Sequence, residues 1–315
     1  MLRNSQMVLK NTINERDRFP FVCIVILNWN GWRDTLECVE SCRGLTWPNS
    51  RIVVVDNDST DGSEGHLRRQ LQDVEIIQSG SNLGFAGGNN VGIRYAIRSG
   101  ADFVWLLNND AVADPEALTR LVEAMEGDSS AGIAGSKIYY HDDPRRIWFA
   151  GGIWEKGWLR LRHRGANQLD KGQFDRICEI GSVSGCSMLV STALIRDIGL
   201  MDERFFLYWE DAEWCARARE RHYNVLFVPG SHVWHKISAS TGKNSFSQYY
   251  FFTRNGFSFL WRYDPIFLLV FAIYNLLFGL KCLAMGNIQP LKGMTCGFAG
   301  FVRRDKGGKF WSLKG

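Results

Sequence analysis

The chain has 315 residues, of which 45% are hydrophobic, and its formal net charge at pH 7 is +4. This length and composition allow a large buried core in one large domain or two, and so mild a charge gives no reason to expect a nucleic-acid partner. The 8 cysteines include no CxxC pair. We therefore expect free core thiols in a reducing compartment rather than a disulfide framework or a zinc site.

The first part of the chain predicts strands that alternate with helices. Residues 1–18 are polar, lack the apolar run of a secretory signal and are interpreted as a flexible lead-in. Continuous apolar runs predict buried strands, and helical patterns lie between them. The predicted strands are 21–27, 51–55, 74–78 and 103–107, and the predicted helices are 34–43, 63–71, about 90–98 and 114 to about 125. Such alternation indicates a parallel sheet with right-handed crossovers.

After about residue 130 the pattern becomes mixed. The elements predicted there are strands at 132–140, 186–190 and 225–228, a hairpin region at 147–164, and helices at 192–198 and 209–221. We expect this part to be fused to the first sheet as one catalytic domain over 19–262. Residues 246–286 are aromatic and apolar, and the last fifteen residues carry five basic side chains. The segment 263–315 is therefore predicted to be a helical, apolar and basic extension.

Polar side chains follow three of the predicted strands, in segments 28–30, 56–58 and 108–110. Ligands of open α/β sheets bind outside the carboxyl ends of the strands, so we expect the three segments to converge on one crevice. Asp110 and its amide neighbours offer hard oxygen ligands suited to Mg²⁺ or Mn²⁺. Asp56 can accept a hydrogen bond from a ring N–H of a pyrimidine base. For each segment, an ordinary turn after a strand is the alternative.

The segment 82–92 reads NLGFAGGNNVG and lies between a predicted strand and a predicted helix. A helix N-terminus can bind an anion, and the length and the paired asparagines favour a segment that lines a site. Its glycines do not follow the GxGxxG spacing, so we discount a dinucleotide-binding motif. A glycine-rich connector is the alternative.

Glu210 and Asp211 open the predicted helix 209–221, where the helix dipole favours an ionised carboxylate. An ionised Asp211 is suited to act as a general base, although an acidic first turn that only stabilises the helix is an alternative of comparable weight. His232 and His235 follow the strand 225–228. An imidazole there can join a carboxylate on a divalent metal, while a histidine at a strand end more often has a structural role.

Taken in order, these segments resemble the family 2 inverting glycosyltransferases with a GT-A fold. The branch they resemble is that of the bacterial rhamnosyltransferase-like enzymes of O-antigen, capsule and cell-wall assembly. The resemblance covers about residues 20–262 and rests on ILNWNG, VVVDNDSTDGS, SNLGFAGGNNVGI, LLNNDAVADP, GCSMLV, GLMDERFFLYWEDAEWCAR and VPGSHVWHKISAS. It implies an α/β fold with a mostly parallel central sheet flanked by helices, followed by the apolar helical segment.

The resemblance also implies roles for individual residues. Asp110 and His235 would hold Mg²⁺ or Mn²⁺, and Asp211 would be the general base, with Glu210 beside it. The residues implied to bind the nucleotide sugar are Asn28, Trp29, Asn30, Asp56, Asn57, Asn82, Gly84, Phe85, Ala86, Asn89, Asn90, Asn108, Asn109 and Asp110. Those implied on the acceptor side are Gly185, Cys186 and Trp209. The chain departs from the family pattern in having Asn-Asn-Asp instead of Asp-x-Asp, and Glu213 where many members have Asp.

The implied reaction is a single displacement with inversion at the anomeric carbon. The expected donor is a dTDP- or UDP-sugar, with dTDP-rhamnose suggested by the branch, and the acceptor is a saccharide or lipid-linked saccharide of a cell-surface polysaccharide. A sugar-phosphate nucleotidyltransferase would carry a basic, glycine-rich loop in place of NWNGWRD. A non-catalytic scaffold that binds sugar nucleotides is the other alternative.

The apolar run 266–280, with basic flanks, favours a cytoplasmic enzyme attached to the inner face of the membrane. A soluble helix packed on the domain or on a second copy of the chain, and a true membrane span, are the alternatives.

Overall fold

The fold is taken from a computed structural model that describes residues 19–153, 162–237 and 245–305. The predicted lead-in at 1–18, the middle of the predicted hairpin region and the basic residues after 305 lie outside the described residues. The strands are β1 (Val22–Asn28), β2 (Ser50–Asp56), β3 (Glu75–Gln78), β4 (Phe103–Asn108), β5 (Ala111–Ala113), β6 (Ala131–Tyr140), β7 (Ile147–Phe149), β8 (Gly152–Ile153), β9 (Arg162–His163), β10 (Cys178–Glu179), β11 (Ser187–Ser191) and β12 (Asn224–His235). The helices are α1 (Trp32–Arg43), α2 (Ser63–Gln70), α3 (Gly84–Arg98), α4 (Ala117–Glu126), α5 (Thr192–Ile198), α6 (Glu210–Glu220), α7 (Phe246–Tyr263), α8 (Pro265–Ala284) and α9 (Ile288–Val302).

A central sheet runs through the described residues in the order β10-β12-β6-β11-β4-β1-β2-β3. Strands β4, β1, β2 and β3 are parallel neighbours, and β12 is parallel to β6. Strand β11 lies between β4 and β6 and is antiparallel to both. The predicted α/β fold with a mostly parallel sheet flanked by helices is confirmed.

The continuous apolar sequence of β1 reflects burial on both faces of the sheet. Ile24 and Ile26 pack in one hydrophobic cluster with side chains of α1, α2 and α4. Cys23 and Val25 point to the opposite face and pack in a second cluster with side chains of α3, α5 and α6. Successive side chains of a strand alternate between faces, so a strand covered by helices on both sides has no place for polar residues.

Two predicted element boundaries were wrong, and one short strand was not predicted, in ways that bear on the site. Helix α3 begins at Gly84 rather than near residue 90, so most of the predicted glycine-rich loop is helical. Strand β12 continues to His235, so His232 and His235 lie within the strand instead of after it. The short strand β5 had not been predicted, and its pairing with the end of β12 places His235 opposite Ala111.

The apolar C-terminal segment forms part of a layer of three helices, α7, α8 and α9. Helix α9 approaches α7 closely through glycines, since a Cβ atom added at Gly293 or Gly297 would lie 2.6 Å from the carbonyl oxygen of Phe246 or Tyr250, respectively. Within the described residues, α8 is long and apolar enough to cross a membrane by length and composition alone, and only a small part of it is buried in the protein. Its large aliphatic side chains therefore face outward from the protein.

Candidate active site

A cavity of about 920 Å³ opens where the carboxyl ends of β1 and β4 meet the first turns of α3 and α6 and one face of α7. The predicted convergence of the strand ends follows from the register, which places Asn28 beside Asp56 and Leu27 beside Asn108. The predicted site residues that line the cavity are Trp29, Asn30, Asn57, Asn82, Gly84, Phe85, Asn108, Asn109, Asp110, Gly185, Cys186, Trp209, Glu210, Asp211 and His235. Those that do not are Asn28, Asp56, Ala86, Asn89 and Asn90.

Asp56 is fully buried, and its carboxylate is already occupied by protein groups. Oδ1 accepts hydrogen bonds from Asn28 Nδ2 at 2.6 Å and Ser59 Oγ at 2.7 Å, and Oδ2 accepts from Gln78 Nε2 at 2.9 Å and the Ser59 N–H at 3.1 Å. The hydrogen bond between Asn28 and Asp56 ties together the ends of β1 and β2. Recognition of a base by Asp56 stays a prediction, and it requires one of these partners to move.

Ala86, Asn89 and Asn90 do not line the cavity because they belong to the buried body of α3 rather than to a loop. Asn89 donates to the Phe85 carbonyl at 2.9 Å. Asn90 exchanges two hydrogen bonds with the Met201 backbone, at 2.9 and 3.1 Å, and so fastens α3 to the segment before α6. These side chains have structural contacts inside the protein, and their assignment to the nucleotide sugar stays a prediction.

Asp110 and His235 meet at the floor of the cavity, with His235 Nε2 3.0 Å from Asp110 Oδ1. Burial lowers the pKa of His235, but the neighbouring Cys186 and Asp110 outweigh it and raise this pKa to about 10. The buried Nδ1 of His235 has no hydrogen-bond partner among the described residues. The Asp110 carboxylate and Nε2 of His235 face each other, and a divalent cation can take the place of the proton between them, because a neutral imidazole and a carboxylate are both metal ligands.

Asp211 lies in the first turn of α6 and faces the same cavity. Its Oδ2 accepts from the Gly185 N–H at 2.9 Å and its Oδ1 from the Ala212 N–H at 2.7 Å. The Asp211 side chain is largely surrounded by protein atoms, and this desolvation raises its pKa. The N–H groups of Gly185 and Ala212 oppose the rise. A carboxylate with a raised pKa is better matched to proton transfer near neutral pH than an ordinary aspartate.

Glu210 differs from its neighbour although both carboxyl groups border the cavity. Its side chain is buried, and Oε2 finds no hydrogen-bond partner among the described residues. Burial and the charge of Asp211 hold the pKa of Glu210 well above its ordinary value. Of the two adjacent carboxyl groups, Asp211 has the N–H donors that stabilise a negative charge, so the charge of the pair is favoured on Asp211 rather than on Glu210.

The two residues before α6 have left-handed backbone conformations, with φ of 67° at Tyr208 and 75° at Trp209. Each such conformation at a bulky non-glycine residue costs about 1–2 kcal/mol, and it persists only where the surroundings enforce it. Trp209 Nε1 donates to the Phe252 carbonyl at 3.1 Å, and its ring packs against Phe259 and Phe271. The start of the helix that carries Asp211 is therefore held by the C-terminal helices.

Gly84 joins the start of α3 to the same segment. Its φ is +72°, and an added Cβ would collide with the carbonyl oxygen and the ring of Phe206. The next residue, Phe85, donates its N–H to that carbonyl at 2.7 Å. A glycine here allows the backbone of α3 to approach the segment that leads into α6.

Several cavity residues had no distinct signal in the sequence. The Trp148 ring lies 4.8 Å from both His163 and His235, in a perpendicular arrangement with each, and forms one wall. Tyr249 and Phe252 of α7 form the wall beside the C-terminal helices. These side chains come from distant segments, and an aromatic residue in an aromatic-rich sequence is more often part of a core.

Comparison with known proteins finds similarity to glycosyltransferases. The profile of the family described as "Glycosyl transferase family 2" matches residues 23–196. The chain is 28% identical over 203 residues to the low-salt glycan biosynthesis hexosyltransferase Agl10 of Haloferax volcanii, covering 64% of this chain and 62% of the relative. It is 27% identical over 195 residues to the dTDP-rhamnosyl transferase RfbF of Shigella flexneri, covering 62% of each. The matches thus span about three fifths of these two relatives.

Two solved structures have similar folds at low sequence identity. GalNAc-T7 with UDP, GalNAc and Mn²⁺ aligns with a TM-score of 0.57 at 16% identity, covering 77% of this chain and 51% of that one. The mannosyltransferase PcManGT from Pyrobaculum calidifontis, in complex with GDP-Man and Mn²⁺, aligns with a TM-score of 0.56 at 13% identity, covering 94% of this chain and 79% of that one. The likeness confirms the predicted GT-A fold.

Proposed function

Because this chain belongs to glycosyl transferase family 2, we propose that it transfers a sugar from a nucleotide-diphosphate donor to an acceptor hydroxyl, with inversion at the anomeric carbon. The observation that carries the proposal is the placement of Asp211 in one cavity with the Asp110–His235 pair. Inversion in a single displacement needs a base on one side of the anomeric carbon and charge stabilisation for the leaving group on the other. The cavity offers both, from different elements of the fold.

The donor is proposed to be a dTDP- or UDP-sugar, and rhamnose is the sugar we favour. Two features support a nucleotide at the strand ends: Trp29 and Asn30 line the cavity beyond β1, and Asn57 and Asn82 line it beyond β2 and β3. RfbF, to which the chain is 27% identical, is a dTDP-rhamnosyl transferase by name. This similarity is the reason to test dTDP-rhamnose first.

Asp110 and His235 fit a divalent cation, which we propose to be Mg²⁺ or Mn²⁺. Within the described residues, no group of three or more His, Cys, Asp and Glu side chains is placed to hold a metal. The protein would thus give two ligands, and the donor diphosphate and water would complete the shell, as is usual for Mg²⁺ bound with substrate phosphates. A bound cation would offset the negative charge that develops on the leaving diphosphate.

Asp211 is proposed to take the proton of the acceptor hydroxyl as its oxygen attacks the anomeric carbon. The N–H groups of Gly185 and Ala212 orient the carboxylate. The raised pKa of Glu210 disfavours a second negative charge beside that of Asp211. Gly185, Cys186 and Trp209 border this end of the cavity and are proposed to contact the acceptor.

The acceptor is proposed to be a lipid-linked saccharide, reached by an enzyme on the inner face of the cell membrane. Leu269 and Leu276 of α8 are 67% and 63% exposed, and Lys281, Arg303 and Arg304 lie on the same helical layer. An apolar helix face beside basic residues suits an anionic bilayer surface. A relative from Mycobacterium tuberculosis, 23% identical over 215 residues, is named for a diphospho-decaprenol acceptor.

A transfer assay with a panel of nucleotide sugars and a synthetic diphospholipid-linked saccharide tests the function. We expect release of the nucleoside diphosphate and formation of a glycosylated lipid, loss of both with excess chelator, and recovery with Mn²⁺ or Mg²⁺. Asp110→Ala should abolish turnover with the fold intact, while Asp73→Ala, which removes a surface carboxylate paired with Arg43, should keep it.

Two results would refute parts of this assignment. Full activity in excess chelator would refute the proposed dependence on a divalent cation. Binding of donors without any transfer or hydrolysis would favour a non-catalytic sugar-nucleotide-binding scaffold.

A further inference from the structure

Helix α7 lies outside the region 23–196 that matches the family profile, yet it holds the segment that leads into the catalytic helix. Asn255 of α7 is completely buried. Its Nδ2 donates to the Leu207 carbonyl at 2.8 Å and to the Tyr208 carbonyl at 3.0 Å. One amide group therefore satisfies two successive backbone carbonyls at the point where the chain adopts its left-handed turn.

The orientation of the Asn255 amide is itself fixed. Arg254 Nη1 donates to Asn255 Oδ1 at 2.6 Å. An arginine can only donate, so it identifies the oxygen side of the amide and leaves Nδ2 to face the two carbonyls. Arg254 also donates to the Arg204 carbonyl, three residues before the Leu207 carbonyl that Asn255 holds. Arg254 and Asn255 together therefore hold the backbone of residues 204–208 from the side of α7.

The other side of the catalytic helix start is held by Gly185, whose N–H donates to Asp211 at 2.9 Å. Left-handed conformations at Tyr208 and Trp209 are unfavourable for bulky residues and are not sustained by local sequence. Without the donor at Asn255, both carbonyls lose this hydrogen bond, and the segment is released to relax toward ordinary conformations. Such a relaxation would move the first turn of α6 and Asp211 with it.

We propose that Asn255 is a positioning residue for the transfer reaction: it enforces the left-handed turn at Tyr208 and Trp209 and so fixes the place of the Asp211 carboxylate in the cavity. This inference rests on the proposed function, in which Asp211 is the base. It assigns the C-terminal helical layer a part in catalysis in addition to any part in membrane attachment.

Two variants of Asn255 test the proposal. Asn255→Ala removes the amide, and Asn255→Asp keeps its shape but replaces the donor with an acceptor. Asn275→Ala is the control: this amide of the same layer donates to the Phe271 carbonyl at 2.7 Å and accepts from Thr253 at 3.3 Å, and neither hydrogen bond reaches the segment before α6. Folding is checked by near-ultraviolet circular dichroism and thermal melting.

In both Asn255 variants we expect kcat to fall about 10- to 100-fold, since displacement of a catalytic group by about 1 Å has effects of that order. The KM for the donor should stay within about twofold, because the nucleotide end of the cavity is built from β1, β2 and β4. The acid limb of the pH profile of kcat should shift to higher pH. The Gly185 N–H lowers the pKa of Asp211 through its hydrogen bond, and this bond is lost or weakened when the carboxylate moves. Asn275→Ala should change none of these.

Amide hydrogen exchange gives a readout that does not depend on turnover. Residues 205–213 should exchange severalfold faster in the Asn255 variants than in the wild type or Asn275→Ala. Faster exchange in the Asn255 variants, together with no transfer by the wild type, would show that Asn255 enforces the turn before α6 but would refute the proposed function and with it a role in transfer. Wild-type transfer with unchanged kcat and unchanged exchange in folded Asn255→Asp would overturn the proposal, as would a loss of kcat that Asn275→Ala shares.

Discussion

Substitution of Gly84 by alanine should disrupt the junction between α3 and the segment before α6. The substitution has two costs. An alanine at φ +72° costs about 1–2 kcal/mol in backbone strain. Its Cβ would also lie 2.6 Å from the ring of Phe206, and overpacking of this kind costs typically about 1–3 kcal/mol. The expected destabilisation is therefore about 2–5 kcal/mol.

Gly80 provides the matched control for this substitution. It has a similar φ of +79°, but an added Cβ meets nothing within 4 Å. Gly80→Ala should therefore carry only the backbone term of about 1–2 kcal/mol. The difference between the two variants isolates the collision with Phe206.

Urea unfolding followed by tryptophan fluorescence measures both free energies of unfolding, and the m-values should agree for the comparison to hold. Folded Gly84→Ala should also lose more kcat than Gly80→Ala, because Phe206 lies four residues before the start of α6, the helix that carries the proposed base Asp211. Equal destabilisation of the two variants would show that the approach of α3 to Phe206 is not tight, and would refute the reasoning.

Two further predictions concern charge and exposed apolar surface. Glu210→Gln should stabilise the fold increasingly as pH rises. The raised pKa keeps the Glu210 carboxyl protonated in the folded wild type, while the unfolded chain releases this proton above the ordinary pKa of glutamate. The free energy of unfolding of the wild type therefore falls by up to about 1.4 kcal/mol per pH unit, and that of the variant, which has no proton to lose, does not. A stability difference that melting curves show to be constant from pH 5 to 8 would contradict this. Replacement of both Leu269 and Leu276 by Glu should release the chain from anionic liposomes in a flotation assay with its melting temperature unchanged, since both side chains are largely exposed; retention on the liposomes would exclude α8 as the attachment face.

The central sheet could be predicted from sequence because its signal is local. A run such as that of β1 is apolar at every position only when both faces are covered, and the polar residues that follow must then lie at the sheet edge. The start of α3 at Gly84 could not be predicted, because glycines are poor helix formers. Tertiary contacts override that preference, since the close approach to Phe206 and Leu27 leaves no room for larger side chains.

The place of a cavity residue could be predicted where a polar side chain directly follows a buried strand, as at Asp110. It could not be predicted where the residues in contact lie far apart in the sequence. Asp56 accepts a hydrogen bond from Gln78 of another strand, a partner that no pattern around Asp56 reveals. His163 reaches the cavity wall only through the pairing of β8 with β9, and Asn255 only through the packing of α7 on the turn before α6. These juxtapositions are properties of the fold rather than of any local motif.

The kcat of Asp211→Asn for sugar transfer, measured beside its donor Kd, tests the proposed reaction most directly. Asparagine keeps the size of the side chain and can still accept from the Gly185 N–H, but it cannot take a proton from the acceptor hydroxyl. We expect kcat to fall by at least about 10²-fold with the donor Kd unchanged, while Asp197→Asn, on the surface of the neighbouring helix, retains the wild-type rate. A wild-type kcat in Asp211→Asn would contradict general-base catalysis at α6 and leave Asp211 as a residue that only stabilises the start of its helix.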